Sequence, residues 1–161
     1  MSADYFPLRA GAVWEYATED ANGRGSLTIE VLTVEASAGR VAARCRRTVA
    51  VSGRPPSTTE FDAVVDRDGA RGERGVEFPL PAAVGAEWSA GSKRFRVEAL
   101  DASVETKAGR FDGCLLVSWL IAEGDGGSGE RHYAPGVGLV REVEHDEADP
   151  WSRELVGRRA A

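Results

Sequence analysis

The stretch Ser26–Ala36 reads SLTIEVLTVEA. Leu27, Ile29 and Val31 alternate with Thr28 and Glu30, the two-residue period of a strand with one face buried and one face wet. The same period continues along the chain. Val41, Ala43, Cys45, Val49 and Val51 alternate with Arg44, Arg46 and Thr48; Phe61, Ala63 and Val65 with Glu60, Asp62 and Val64; Phe95, Val97 and Ala99 with Arg94, Arg96 and Glu98. Leu139–Glu144 alternates less cleanly. Turn signals punctuate these runs at Asn22-Gly23, Ala38-Gly39, Ser52-Gly53 with Pro55-Pro56, Asp68-Gly69, Gly124–Gly129 and Pro135-Gly136. Short strands with frequent turns predict an all-β fold, an antiparallel curved sheet or half-barrel of about nine or ten strands. Helix formers gather only in Ala10–Ala21, so one short helix is the most the sequence allows.

Phe111–Ala122 breaks the pattern, because it is apolar on both faces: Phe111, Leu115, Val117, Trp119 and Ile121 on one, Cys114, Leu116 and Leu120 on the other. A strand of this kind is expected in the centre of a sheet and covered on both sides. The chain also echoes itself. Phe6-Pro7-Leu8 precedes Gly11 and Trp14, and Phe78-Pro79-Leu80 precedes Gly85 and Trp88. Residues 1–161 therefore read as a single β domain with half-repeats at 6–77 and 78–155.

The 161 residues suffice for one self-supporting core. A net charge of −6 argues against nucleic acid, whose phosphates need a basic field. The longest apolar run is too short to span a bilayer. Cys45 and Cys114 sit in apolar strand-like stretches and read as free thiols. The opening MSADYFPLRAG has no basic, apolar leader, and with the free thiols this predicts a cytoplasmic protein, or an envelope protein if a leader has been removed.

Catalytic motifs are missing. No Cys-His pair or G-x-S-x-G turn supplies a nucleophile, the Gly124–Gly129 tract lacks the ending of a phosphate loop, and His145-Asp146-Glu147 has no second His at ligand spacing. Carboxylates in the alternating strands, such as Glu30 and Glu60, are expected to oppose Arg44 and Arg46 across the sheet. No enzyme, cofactor or metal follows from these residues.

Three signatures carry a resemblance. They are Tyr5-Phe6-Pro7-Leu8 with Gly11 and Trp14-Glu15-Tyr16, Ala108-Gly109-Arg110-Phe111 running to Cys114, and the segment YAPGVGLV at Tyr133–Val140. Together they resemble a group of uncharacterised bacterial β-proteins, hypothetical proteins and lipoproteins, similar to half-barrels of the lipoprotein-carrier type. The resemblance implies a sheet wrapped around an apolar hollow and no established activity.

Two functions stand on this footing. The first is a non-enzymatic binding module for an apolar or lipid-like small molecule held on the concave face by Trp14, Trp88, Phe111 and Trp119. The alternative is a structural or protein-interaction domain with a filled core, its outer face at 111–122 covered by a partner, a second copy of the chain included. An open hollow of several hundred Å³ favours the first and a filled interior the second.

Overall fold

The computed structural model describes residues 4–121, 126–145 and 150–160. It contains twelve antiparallel strands in one sheet: β1 (Val13–Asp20), β2 (Gly23–Ser37), β3 (Arg40–Val51), β4 (Ser57–Asp66), β5 (Gly69–Gly72), β6 (Gly75–Pro79), β7 (Glu87–Ala90), β8 (Lys93–Thr106), β9 (Gly109–Ile121), β10 (Ser128–Ala134), β11 (Gly138–His145) and β12 (Trp151–Arg159). The spatial order β6-β5-β4-β3-β2-β1-β12-β11-β10-β9-β8-β7 is an up-and-down meander whose first and last strands pair. The sheet thus wraps into a nearly closed barrel, open only between the short edge strands β6 and β7. Short edges limit the open hydrogen-bonding row that invites aggregation.

The fold class stands as the alternation predicts, with twelve strands in place of nine or ten. Residues 10–21, the one stretch considered for a helix, instead give β1. Among the described residues no helix is long and apolar enough to cross a membrane. Cross-strand charge pairing is as expected: Glu30 faces Arg46, and Arg44 reaches both Glu60 at 3.2 Å and Asp62 at 3.0 Å. These pairs lie on the wet outer face, where each contributes less than about 1 kcal/mol.

Phe111–Ala122 requires a correction. Its described part is a central strand, β9, between β8 and β10, but it is not covered on both faces. Leu115, Val117 and Trp119 point inward and are buried, whereas Leu120 is 62% exposed. A bulge at Gly113, with φ +68°, inserts an extra residue and leaves both Cys114 and Leu115 buried, so Cys114 departs from the face that simple alternation assigns it. Ala122 lies outside the described residues. Replacing Leu120 with Asp is accordingly expected to move stability by no more than about 0.5 kcal/mol, checked by thermal melting.

The two Phe-Pro-Leu segments lead into turns of matching geometry. Ala12 N–H donates to Arg9 O at 3.1 Å, Gly11 N–H to Val31 O at 2.8 Å, and Val31 N–H to Ala12 O at 2.9 Å. In the second half Ala86 N–H donates to Ala83 O at 3.1 Å, Gly85 N–H to Val97 O at 2.8 Å, and Val97 N–H to Ala86 O at 2.9 Å. Gly11 and Gly85 hold φ of +86° and +92°, open to glycine and strained for other residues. Trp14 then pairs with Ile29 and Trp88 with Phe95, at the same step beyond each turn.

Two apolar clusters fill the barrel. One gathers Trp14, Tyr16, Leu27, Val31, Cys45, Val140 and Leu155; the other gathers Phe78, Phe95, Val97, Leu115, Val117, Trp119 and Tyr133. Both cysteines are free and buried, and burial pushes each thiol up to about 11. Neither is expected to react appreciably with a maleimide at pH 7 in the folded protein, while both react in denaturant; counting labels by mass checks this.

Candidate functional site

Arg131, Glu142 and Arg153 are nearest neighbours across β10, β11 and β12, each at an inward-facing position. Glu142 is fully buried and accepts from Arg131 Nε at 2.6 Å, Arg153 Nε at 2.9 Å and Arg74 Nη2 at 2.9 Å. Burial by itself would raise the Glu142 pKa. The three guanidinium groups outweigh that and hold its carboxyl well below the usual carboxylate range. The network continues to Glu73, paired with Arg153 at 3.3 Å and Arg47 at 2.8 Å, and to Glu77, which accepts from Tyr133 Oη at 2.6 Å. Burial and the Glu77 charge both raise the Tyr133 pKa, so this phenol stays protonated and donates.

At the opposite end of the barrel the N-terminal segment crosses the mouth as a strap. Asp4 O accepts from Gly136 N–H at 2.7 Å and Tyr5 Oη donates to Gly113 O at 3.2 Å. Between strap and ionic network lies a cavity of about 70 Å³. Phe6, Pro7 and Leu8 form its roof, Trp14, Ile29, Val31, Cys45, Phe61 and Ala63 its apolar wall, and Glu73, Glu77, Tyr16, Tyr133 and Arg153 its polar floor. Tyr16 Oη donates to Leu139 O at 2.7 Å, and Arg153 lies over the Tyr16 ring at 5.4 Å. The floor is thus a set of saturated charges, and nothing in it is placed as a nucleophile or an unpaired base.

The four aromatics singled out in the sequence do not converge. Trp14 lines the cavity and anchors β1 to the β10–β11 turn by donating from Nε1 to Val137 O at 2.7 Å. Trp88 stacks on Phe95 at 5.4 Å and 8°. Trp119, beyond Phe95, lies flat on Gly129 with Lys93 over its ring at 4.1 Å. Phe111 is half-buried against the first cluster and is not part of the lining of this cavity. Trp88 and Trp119 instead border a surface trough of about 490 Å³ on β7–β9, together with Leu120, Arg94 and Glu98.

Sequence reasoning missed the polar floor and the roof. The signal for the floor was present: Arg131, Glu142 and Arg153 each stand two residues from a buried apolar position, Tyr133, Val140 and Leu155 respectively. Of the metal run His145–Asp149, only His145 lies within the described residues, and the glycine tract is described only from Gly126 onward. No group of three or more ligating side chains occurs among the described residues.

Two solved structures share this architecture. A candidate exported protein with a YmcC-like fold from Bacteroides fragilis superposes with a TM-score of 0.72 at 16% identity, over 98% of this chain and 100% of the other. A candidate lipoprotein from Parabacteroides distasonis gives 0.66 at 16% identity, over 99% and 100%. No family model and no curated protein matches the chain. The likeness establishes the fold, in keeping with a bacterial β-protein group that includes lipoproteins. It also corrects the cytoplasmic expectation: the two proteins that share the fold are a candidate exported protein and a candidate lipoprotein, which points to the cell envelope rather than the cytoplasm.

Proposed function

We propose that this chain is a non-enzymatic binding module of the cell envelope, and that its site is the strap-covered cavity, which takes an apolar or lipid-like group. The observation that carries the reading is the roof. Phe6, Pro7 and Leu8 belong to no strand, yet they line the apolar hollow and cover part of it. Its volume of about 70 Å³ is smaller than the roughly 150 Å³ that admits benzene-sized guests. Binding therefore requires the strap to lift. The half-repeats 6–77 and 78–155 belong to the same proposal, supported by the matching turns at Gly11 and Gly85.

Titration calorimetry with dodecan-1-ol tests it. Saturable one-to-one binding is expected, lost when Ala63→Phe or Ile29→Trp fills the cavity and kept in Trp88→Ala, whose indole lies outside it. No saturable binding, or binding indifferent to both filling variants, contradicts the reading. A second reading, an interaction domain with a filled core, is favoured by the small interior volume of about 70 Å³, by the ionic network and by Leu120 standing exposed in the outer trough. Native mass spectrometry separates the two, since a bare dimer supports the second and a monomer retaining a small molecule supports the first.

A further inference from the structure

Resting on that reading, we infer that the ligand is an anionic single-chain amphiphile, its tail displacing the strap and its head group held by Arg9, Arg158 and Arg159. All three arginines line a small cleft beside the cavity, together with Pro7, Trp14 and Gly136. Arg158 and Arg159 come from the end of β12, where they pair with Trp14 and Val13 of β1; Arg9 comes from the strap's own turn. All three are exposed, and none makes an ion pair among the described residues, although the chain as a whole carries a charge of −6. Arg158 donates only to a backbone carbonyl, Gly136 O, at 2.9 Å. Acids near this rim include Asp4, which leaves with the strap, Glu15, outward-facing on β1 opposite Gly157, and Glu30, in the row of Val13 and Arg159 and paired with Arg46 at 3.6 Å. A carboxylate or phosphate head thus meets an uncompensated cationic edge directly above an apolar wall, and guanidinium forks suit either oxyanion.

The strap is built to yield. Phe6 and Phe78 occupy matching places in the two Phe-Pro-Leu segments and touch edge-to-face at 6.3 Å. Phe78 is fixed within β6 and buried, and Leu80 N–H is tied to Asp68 O at 3.1 Å. Phe6 and Leu8 are only half-buried, and two hydrogen bonds join residues 4–8 to the barrel among the described residues. The same tripeptide is ladder-locked once and loosely hung once.

Dodecanoate and dodecan-1-ol, titrated below their aggregation limits, test the inference. In the full chain dodecanoate is expected to bind at least tenfold more tightly than the alcohol, with the difference shrinking in high salt. Arg158→Glu combined with Arg159→Glu, both surface changes, is expected to remove that preference. Phe6→Ala, which loosens the roof, is expected to tighten both ligands several-fold. If the alcohol binds as well as the acid, or the arginine variant keeps the preference, the head-group assignment is overturned while the cavity reading survives. If Phe6→Ala weakens both ligands, the strap is part of the bound site and its displacement is overturned. If neither ligand binds the full chain or Phe6→Ala, both the inference and the reading beneath it fail.

Discussion

Replacing Gly129 with Ala is expected to cost about 3–5 kcal/mol, as much as losing a buried aromatic. Gly129 of β10 stands opposite Trp119 of β9, and a β-carbon built on it falls within the indole ring, against Cζ2, Cε2 and Nε1. The obstacle is a rigid ring 1% exposed, so it has nowhere to rotate and the whole side chain must leave the core. A double-mutant cycle identifies the cause. Gly129→Ala in a Trp119→Ala background should cost almost nothing further, because the two changes remove the same contact. Chemical denaturation of the four proteins gives the coupling; additive costs would mean that Gly129 serves its own backbone rather than the indole.

The second large effect concerns Glu142. Glu142→Ala leaves Arg131 and Arg153 buried without their shared counter-charge, and breaking a buried pair from one side costs about 3–5 kcal/mol. Glu142→Gln, which keeps the shape and removes the charge, should recover little of it. The same network sets a pH dependence. The folded carboxyl titrates below its ordinary value of 4.5, so its stabilisation is fully present above that value and is lost as pH falls through the range below it. Stability should therefore fall less steeply in acid for Glu142→Gln than for the natural chain. Equal slopes of melting temperature against pH would contradict this role.

Legibility in the sequence follows length and period. Ser26–Ala36 and Phe95–Ala99 alternate long enough for a period to show, and they lie in strands β2 and β8. Strands β5, β6 and β7 span Gly69–Gly72, Gly75–Pro79 and Glu87–Ala90, all too short to carry a period, with Gly and Pro further blurring β5 and β6, which is why twelve strands read as nine or ten. In β9 the bulge at Gly113 buries Cys114 beside Leu115, against the face that alternation gives it, while Phe111, Leu115, Val117 and Trp119 keep theirs. The site divides in the same way. Trp14 is legible because large aromatics mark apolar walls, and it lines the cavity. Glu77 is not, because a carboxylate in an alternating strand normally faces water. Its partners Arg131 and Tyr133 come from 54 and 56 residues away, a pairing that only the wrapped sheet creates.

Amide hydrogen exchange at Gly136 tests the central claim most directly. Its N–H is held by Asp4 O of the strap, whereas Val31 N–H is held by Ala12 O just past the strap's end. With saturating dodecan-1-ol the account predicts faster exchange at Gly136 and unchanged exchange at Val31. Protection at Gly136 that stays constant or increases while ligand is bound would contradict it.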